Sequence, residues 1–422
     1  RGEFQRPDPC TPGPTHFIID AFQFTREFKN PCEPVGSFEP GMPANMLGLS
    51  LERVLLKLFL HFLATNRKYA AVVYDAESAF LQPRLKPGER LVVRPPHDVR
   101  SDPKELWDMN VPLYGWRKAS ASWQDYQAEQ LLHVGGFRRS VVEGCAFRND
   151  ESDVNALIHG DDTLGVGDRD GVIRFVEFES ANFVGKACPI VSVHPDDAKA
   201  LRFLKREIRV DPNVGWEYEP DPRHAAGLIT RLGLDAEGTK SVSTPGLQVL
   251  ARPERTEEEN AEQNPRMDRA EEREWREWRG GAGVASFLAT GRLDVKFATK
   301  EVLRDAGEPR KDSWLRLKRI GRYLLKAPRY VLVFRWQKPT AKLKVTTDAS
   351  HAGCIRTRKS TTCGVGRLVN HMVQDLSETQ GTVRLSSGEA EYARLVRGAQ
   401  ERLYVKNFLR FFGRNRGSSA IG

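Results

Sequence analysis

The chain has little that would staple it, anchor it or repeat it. Six cysteines are scattered over 422 residues with no CxxC pair, so neither a disulfide framework nor a zinc ribbon is indicated. His351-x-x-Cys354 with Cys363 and His371 matches no common zinc spacing. The most apolar stretch, Leu55 to Leu63, is interrupted by Lys57 and His61 and is far too short to span a bilayer, so no membrane partner is expected. No signal peptide and no internal repeat are apparent, and Arg1 rather than Met stands first. An intracellular setting, cytoplasmic or nuclear, is the expectation.

The net charge is +9, but it is unevenly placed: residues 300–422 carry +16, which leaves −7 on the first 299. A basic C-terminal third is the electrostatic footprint of a surface that follows a phosphate backbone. Residues 1–48 are crowded with proline and glycine, which argues for loops and extended pieces. Ser50 then fits an N-cap before Leu51, Val54, Leu55, Leu58, Phe59 and Phe62, spaced as one apolar helical face. Further helices are expected over Ser120–Val134, with Trp123, Tyr126, Ala128 and Leu131 or Leu132, and over Val172–Phe183. Between Pro253 and Arg276 the chain is densely charged and reads as a linker. Helices resume at Ala285–Ala289, and strands are expected at Tyr330–Phe334 and Leu343–Thr347.

Three carboxylates stand out. The buried-strand run Ala70–Tyr74 delivers Asp75 at its end, and Ala156–Ile158 leads into His159-Gly160-Asp161-Asp162, with Leu164–Gly167 leading out: a strand, a tight turn and a strand. One acid at a strand end plus a tandem pair suits a grip on two divalent cations in nucleotidyl transfer. Between them lies Val111–Trp123, with Tyr114-Gly115-Trp116-Arg117-Lys118 at its centre.

Together these three segments resemble the palm motifs of a copia-type retrotransposon reverse transcriptase. The resemblance continues through Leu204-Lys205-Arg206-Glu207-Ile208, similar to a short strand after the palm, and Val242-Ser243-Thr244-Pro245, similar to the segment closing the polymerase region. It then reaches Thr347–Gly353, Arg358–Thr362 and Leu385–Tyr392, which look like the family's ribonuclease H domain. It implies an α+β fold: a reverse-transcriptase palm with remnant fingers, a helical connection and a truncated ribonuclease H-like domain. The implied layout is a Pro-rich N-terminal remnant over 1–48, fingers and palm over 49–245, a charged linker and connection helices over 246–340, and the ribonuclease H-like part over 341–422.

The resemblance also implies roles. Asp75 and Asp161 would bridge Mg2+ (or Mn2+) ions, with Asp162 as third member. Phe80 would stand against a ribose 2′-hydroxyl, Tyr114 and Gly115 would line nucleotide and template, and Lys118 or Arg117 would meet phosphate. Partners would be an RNA template, a DNA primer, their RNA–DNA hybrid and deoxynucleoside triphosphates. Two departures stand out: His159-Gly160 occupies the place of a bulky pair such as Tyr-Val, which loosens the turn, and the proline usual near Ser120 is missing. The basic residues that hold the triphosphate in the family's N-terminal region have no match in residues 1–48.

The helix from Asp312 or Ser313 to Lys326 pairs an apolar stripe with Arg316, Lys318, Arg319 and Arg322, a basic face that could lie along a primer–template duplex. In the last region Asp348 and Glu391, with Glu389 in reserve, would supply metal-binding acids for hydrolysis of RNA in a hybrid. A further acid expected near Gly417 is absent, which predicts weak or no cleavage. A catalytically degenerate remnant that binds nucleic acid is the alternative.

Overall fold

The computed structural model describes residues 18–20, 49–99, 101–246, 272–307, 309–354 and 357–414. They form an α+β arrangement of helices and mainly antiparallel sheets. In chain order come β1 (Ile18–Asp20), α1 (Leu49–Leu63), β2 (Tyr69–Ala76), β3 (Leu91–Arg94), β4 (Trp107–Met109), α2 (Ala119–His133), β5 (Arg138–Arg139), β6 (Ala146–Asn149), β7 (Val154–His159), β8 (Asp162–Asp168), α3 (Arg169–Asn182) and β9 (Gly185–Ala187). Then follow β10 (Ala200–Phe203), β11 (Arg206–Asp211), β12 (Gly215–Pro220), α4 (Arg223–Arg231), α5 (Glu272–Ala289), α6 (Leu293–Leu303), α7 (Lys311–Lys326), β13 (Leu332–Arg335), β14 (Leu343–Ser350), β15 (Lys359–Leu368), β16 (His371–Val383) and α8 (Ser387–Phe411).

The chain divides into two compact units. Among the described residues, the first comprises those within 18–20, 72–165 and 170–188, and the second those within 49–71, 166–169 and 189–414. The first is built on a six-stranded sheet of order β5-β6-β7-β8-β2-β9. Its central strands β2, β7 and β8 are apolar and buried almost throughout, as strands covered on both faces must be. A small sheet, β1-β3-β4, pairs β1 parallel with β3.

In the second unit a four-stranded sheet, β10-β11-β12-β13, draws its last strand from more than a hundred residues downstream. Helices α4 to α7 enclose a core that includes Leu228, Trp278, Ala285, Val295, Leu317 and Ile320. The three-stranded meander β14-β15-β16 carries α8 against β14 through Gly398, which lies close to Thr347.

Several sequence expectations need correction. Helix α1 begins at Leu49, so Ser50 lies inside its first turn. It is not covered on one face only: every residue from Val54 to Leu63 is buried, including Lys57 and His61. Lys57 pairs with Asp375 of β16, which also pairs with Lys296 of α6, and His61 meets His371 with Nδ1 atoms 2.8 Å apart. Leu204 and Lys205 are not strand but the two left-handed residues of a tight turn, φ 50° and 57°, joining β10 to β11. The charged segment proposed as a linker lies largely outside the described residues, and its end, Glu272–Arg276, is the first part of α5. The position near Gly417 also lies outside them.

Candidate active site

Strand β2 places Asp75 at the exposed end of a buried run, and the next backbone N–H, that of Ala76, donates to the carbonyl of Asp161 at 3.0 Å. That bond ties the end of β2 to the turn between β7 and β8. The turn needs Gly160 for its backbone, φ +65°, in the left-handed region, and not for lack of room.

What the sequence reading takes for a loosened turn is held from behind by α2. The indole N–H of fully buried Trp123 donates to the Gly160 carbonyl at 2.8 Å. One helical turn on, the buried Gln127 amide donates to Thr163 Oγ1, also at 2.8 Å. Helix α2 thus grips the turn on either side of Asp161 and Asp162. Trp123 is itself fixed by Phe183 and Tyr126, in a cluster with Tyr74, Ala76 and Ala79.

Asp161 is exposed like Asp75, while Asp162 is half-buried. Burial, then the charges of Asp161 and Asp75, push the Asp162 carboxyl up to about 6, with His159 acting the other way. The three acids therefore share one field. Lys186, opposite Asp75 in β9, pairs with Glu77 at 2.5 Å. Among the described residues no three His, Cys, Asp or Glu side chains form a ready-made metal cage. The donor set still fits magnesium, which takes one or two carboxylates and completes its shell with water and phosphate oxygens.

Around this turn, Phe80 and Tyr114 meet ring to ring, centroids 4.8 Å apart. Phe80 packs on the Trp123 cluster, and Tyr114 is 48 % exposed, offering an open aromatic surface. Gly115 has φ +95°, so a side chain there would strain the backbone. Of Lys118 and Arg117, the two candidates for a phosphate contact, Lys118 pairs with Glu89 at 2.9 Å on the surface and sits near the Trp116 ring.

Glu179 on α3 was missed, although Val172, Phe175 and Glu179 share the i, i+3, i+7 spacing of one helical face. It is fully buried, neither carboxyl oxygen has a hydrogen-bond partner among the described residues, and burial pushes it up to about 8. Burial, and after it the charge of Glu179, raise Tyr74, whose hydroxyl donates to the Phe183 carbonyl at 2.8 Å.

The second group of predicted acids has different company. Asp348 is exposed on β14. Glu391 pairs with Arg394, which also donates to Thr347 O at 2.6 Å and Oγ1 at 3.0 Å, so this arginine fastens α8 to the strand beside Asp348. Glu389 accepts from Leu385 N–H and from Arg384, serving the start of α8. Asp375 is enclosed by Lys57 and Lys296, which hold its carboxyl far below the usual range against the cost of burial.

The four basic residues expected to follow a duplex from α7 each have a contact within the fold. Arg316 pairs with Asp312 at 3.1 Å, Lys318 lies over the Trp314 ring, Arg319 donates to Gly246 O and Thr244 Oγ1, and Arg322 donates to Lys240 O. These side chains pin the 240–246 segment to the helix. An amphipathic pattern shows where charge lies but not which acceptors it meets.

No family model matches the chain. It is 25 % identical over 354 residues to the retrovirus-related Pol polyprotein from transposon RE2 of Arabidopsis thaliana, covering 83 % of this chain and 22 % of that protein. It is 24 % identical over 344 residues to the Pol polyprotein from transposon TNT 1-94 of Nicotiana tabacum, covering 80 % and 24 %. Over 114 residues, 27 % of this chain, it is 36 % identical to secreted RxLR effector protein 161 of Plasmopara viticola, covering 80 % of that protein. The chain spans about a quarter of the length of the two Pol relatives.

Proposed function

We propose, for a chain that belongs to the retrovirus-related Pol polyproteins of transposons, that the first unit is a reverse-transcriptase palm carrying out RNA-directed DNA synthesis. The observation that carries this reading is the bond from Ala76 to Asp161, which brings the acid at the end of β2 to the acid pair in the β7–β8 turn. Asp75 and Asp161 would hold magnesium or manganese, with Asp162 as the third acid. The bound cations supply charge neutralisation and activation of the primer hydroxyl. The chain's own part is to keep the three carboxylates in place through Trp123 and Gln127, and to offer Phe80, Tyr114 and Gly115 as a wall for the deoxynucleotide sugar and base. An RNA template and a DNA primer are the remaining partners. The β14–β16 meander with α8 would be the ribonuclease H-like part.

The test is primer extension on an RNA template with magnesium or manganese. Extension that disappears in Asp161→Asn and Asp75→Asn, with the fold intact by circular dichroism, supports the reading. A second reading, a remnant that binds nucleic acid without synthesis, is favoured by one observation: Lys118 is paired with Glu89. It predicts hybrid binding with no extension by the parent chain.

A further inference from the structure

In the second unit, Lys344 of β14 and Arg367 of β15 stand directly opposite each other in the antiparallel register, and Lys342 lies two residues before Lys344. Like charges facing each other across a sheet are unfavourable. Here none of the three charged side chains has a partner among the described residues, and all three residues are exposed. They line one cavity of about 850 Å³. Its one acid, Asp348, lies four residues further along β14, about 13 Å from Lys344. Lys296, also in the wall, has its charge met by Asp375. The lining also includes Phe297 of α6, an aromatic ring left 51 % exposed, with Lys300 over one face.

An uncompensated row of cations costs folding energy that an anion would recover, and an exposed ring in the same lining offers a stacking surface. We propose that this cavity binds a short single-stranded nucleic-acid segment, with phosphates on Lys342, Lys344 and Arg367 and a base on Phe297. A stacking ring inside a cavity of this size suits an unpaired base, whereas a duplex keeps its bases stacked on each other and needs a broad open surface. The site is separate from the carboxylates of the first unit and does not depend on polymerisation.

The experiment uses the full chain and a fluorescent oligo(dT) dodecamer, with anisotropy measured across a salt series. Replacing Lys342, Lys344 and Arg367 with Gln is expected to flatten the slope of log affinity against log salt by about two, from three lost phosphate contacts on a single strand. Phe297→Ala is expected to weaken binding about tenfold with the slope unchanged. Lys344→Arg with Arg367→Lys should restore the slope. Because the three cations are exposed, the triple variant should melt at the parent temperature or slightly above. Asp161→Asn should bind as the parent does, and extension measured in parallel reports on the first unit alone. No binding to oligo(dT) at low salt, an unchanged slope, or equal competition by tripolyphosphate with no effect of Phe297→Ala would each overturn the proposal. So would tighter binding of a same-length RNA–DNA hybrid that is lost in the triple variant.

Discussion

In the first unit Asp75, Asp161 and Asp162 share a field, and among the described residues no basic side chain is bonded to any of them. In the second, Glu391 has Arg394, Glu389 has Arg384, and Asp375 has two lysines. The residue types are the same, but neutralisation differs. An acid already matched by a base holds structure together, whereas acids left to repel one another store energy that a cation can release. The first arrangement suits a reacting site and the second suits a scaffold.

The sharpest way to break this contrast is to make one substitution in both places. Asp375→Asn should destabilise the second unit by about 3–5 kcal/mol in urea unfolding, because it strands Lys57 in the interior. Asp162→Asn should leave stability unchanged or slightly higher, since it removes repulsion. Equal losses would end the distinction.

Glu179 provides an intermediate case, a buried acid with neither base nor cation. Its carboxyl, near 8 in the folded chain, keeps a proton that the unfolded chain gives up near 4.5. Its stability contribution is therefore intact below the ordinary carboxylate range and declines by up to about 1.4 kcal/mol per pH unit as pH rises towards 8. Unfolding followed from pH 5 to pH 9 should show that decline in the parent, and Glu179→Gln should flatten it. A parallel pH profile for the two chains would mean that Glu179 is ionised in the fold.

If the proposed synthesis occurs, Trp123→Phe should slow extension about tenfold, roughly 1.4 kcal/mol, mainly in kcat, because it removes the donor that fixes Gly160 while preserving an aromatic core. A drop confined to the KM for nucleotide would argue against positioning. The smallest change is expected in the second unit: incubation of an RNA–DNA hybrid with magnesium or manganese should give no RNA cleavage above background, with or without Asp348→Asn. Cleavage that vanishes in Asp348→Asn would show that its acids are poised after all.

Strand, turn and strand around Asp75 and Asp161 were legible because a continuous apolar run and turn chemistry are local properties. The partners of α1 were not. Helical spacing identifies an apolar stripe, but Lys57 and His61 are buried by residues more than three hundred positions away. Leu204-Lys205 misled for another reason: both prefer right-handed or extended backbone, and the pairing of β10 with β11 overrides that preference. Helical spacing places Trp123 with Tyr126 and Ala128, and nothing in it shows that the indole N–H meets a carbonyl 37 residues on.

The sheet β10-β11-β12-β13 has a consequence for the order of synthesis. Its first three strands meet through short hairpins as soon as they emerge, but β12 waits for β13 until residue 335 has been made. During that interval one long flank of β12 has open backbone donors and acceptors, with Trp216 and Tyr218 close by. A chain stopped at residue 246 would keep that flank permanently, and self-association through it is the expected fate during expression of the N-terminal portion alone.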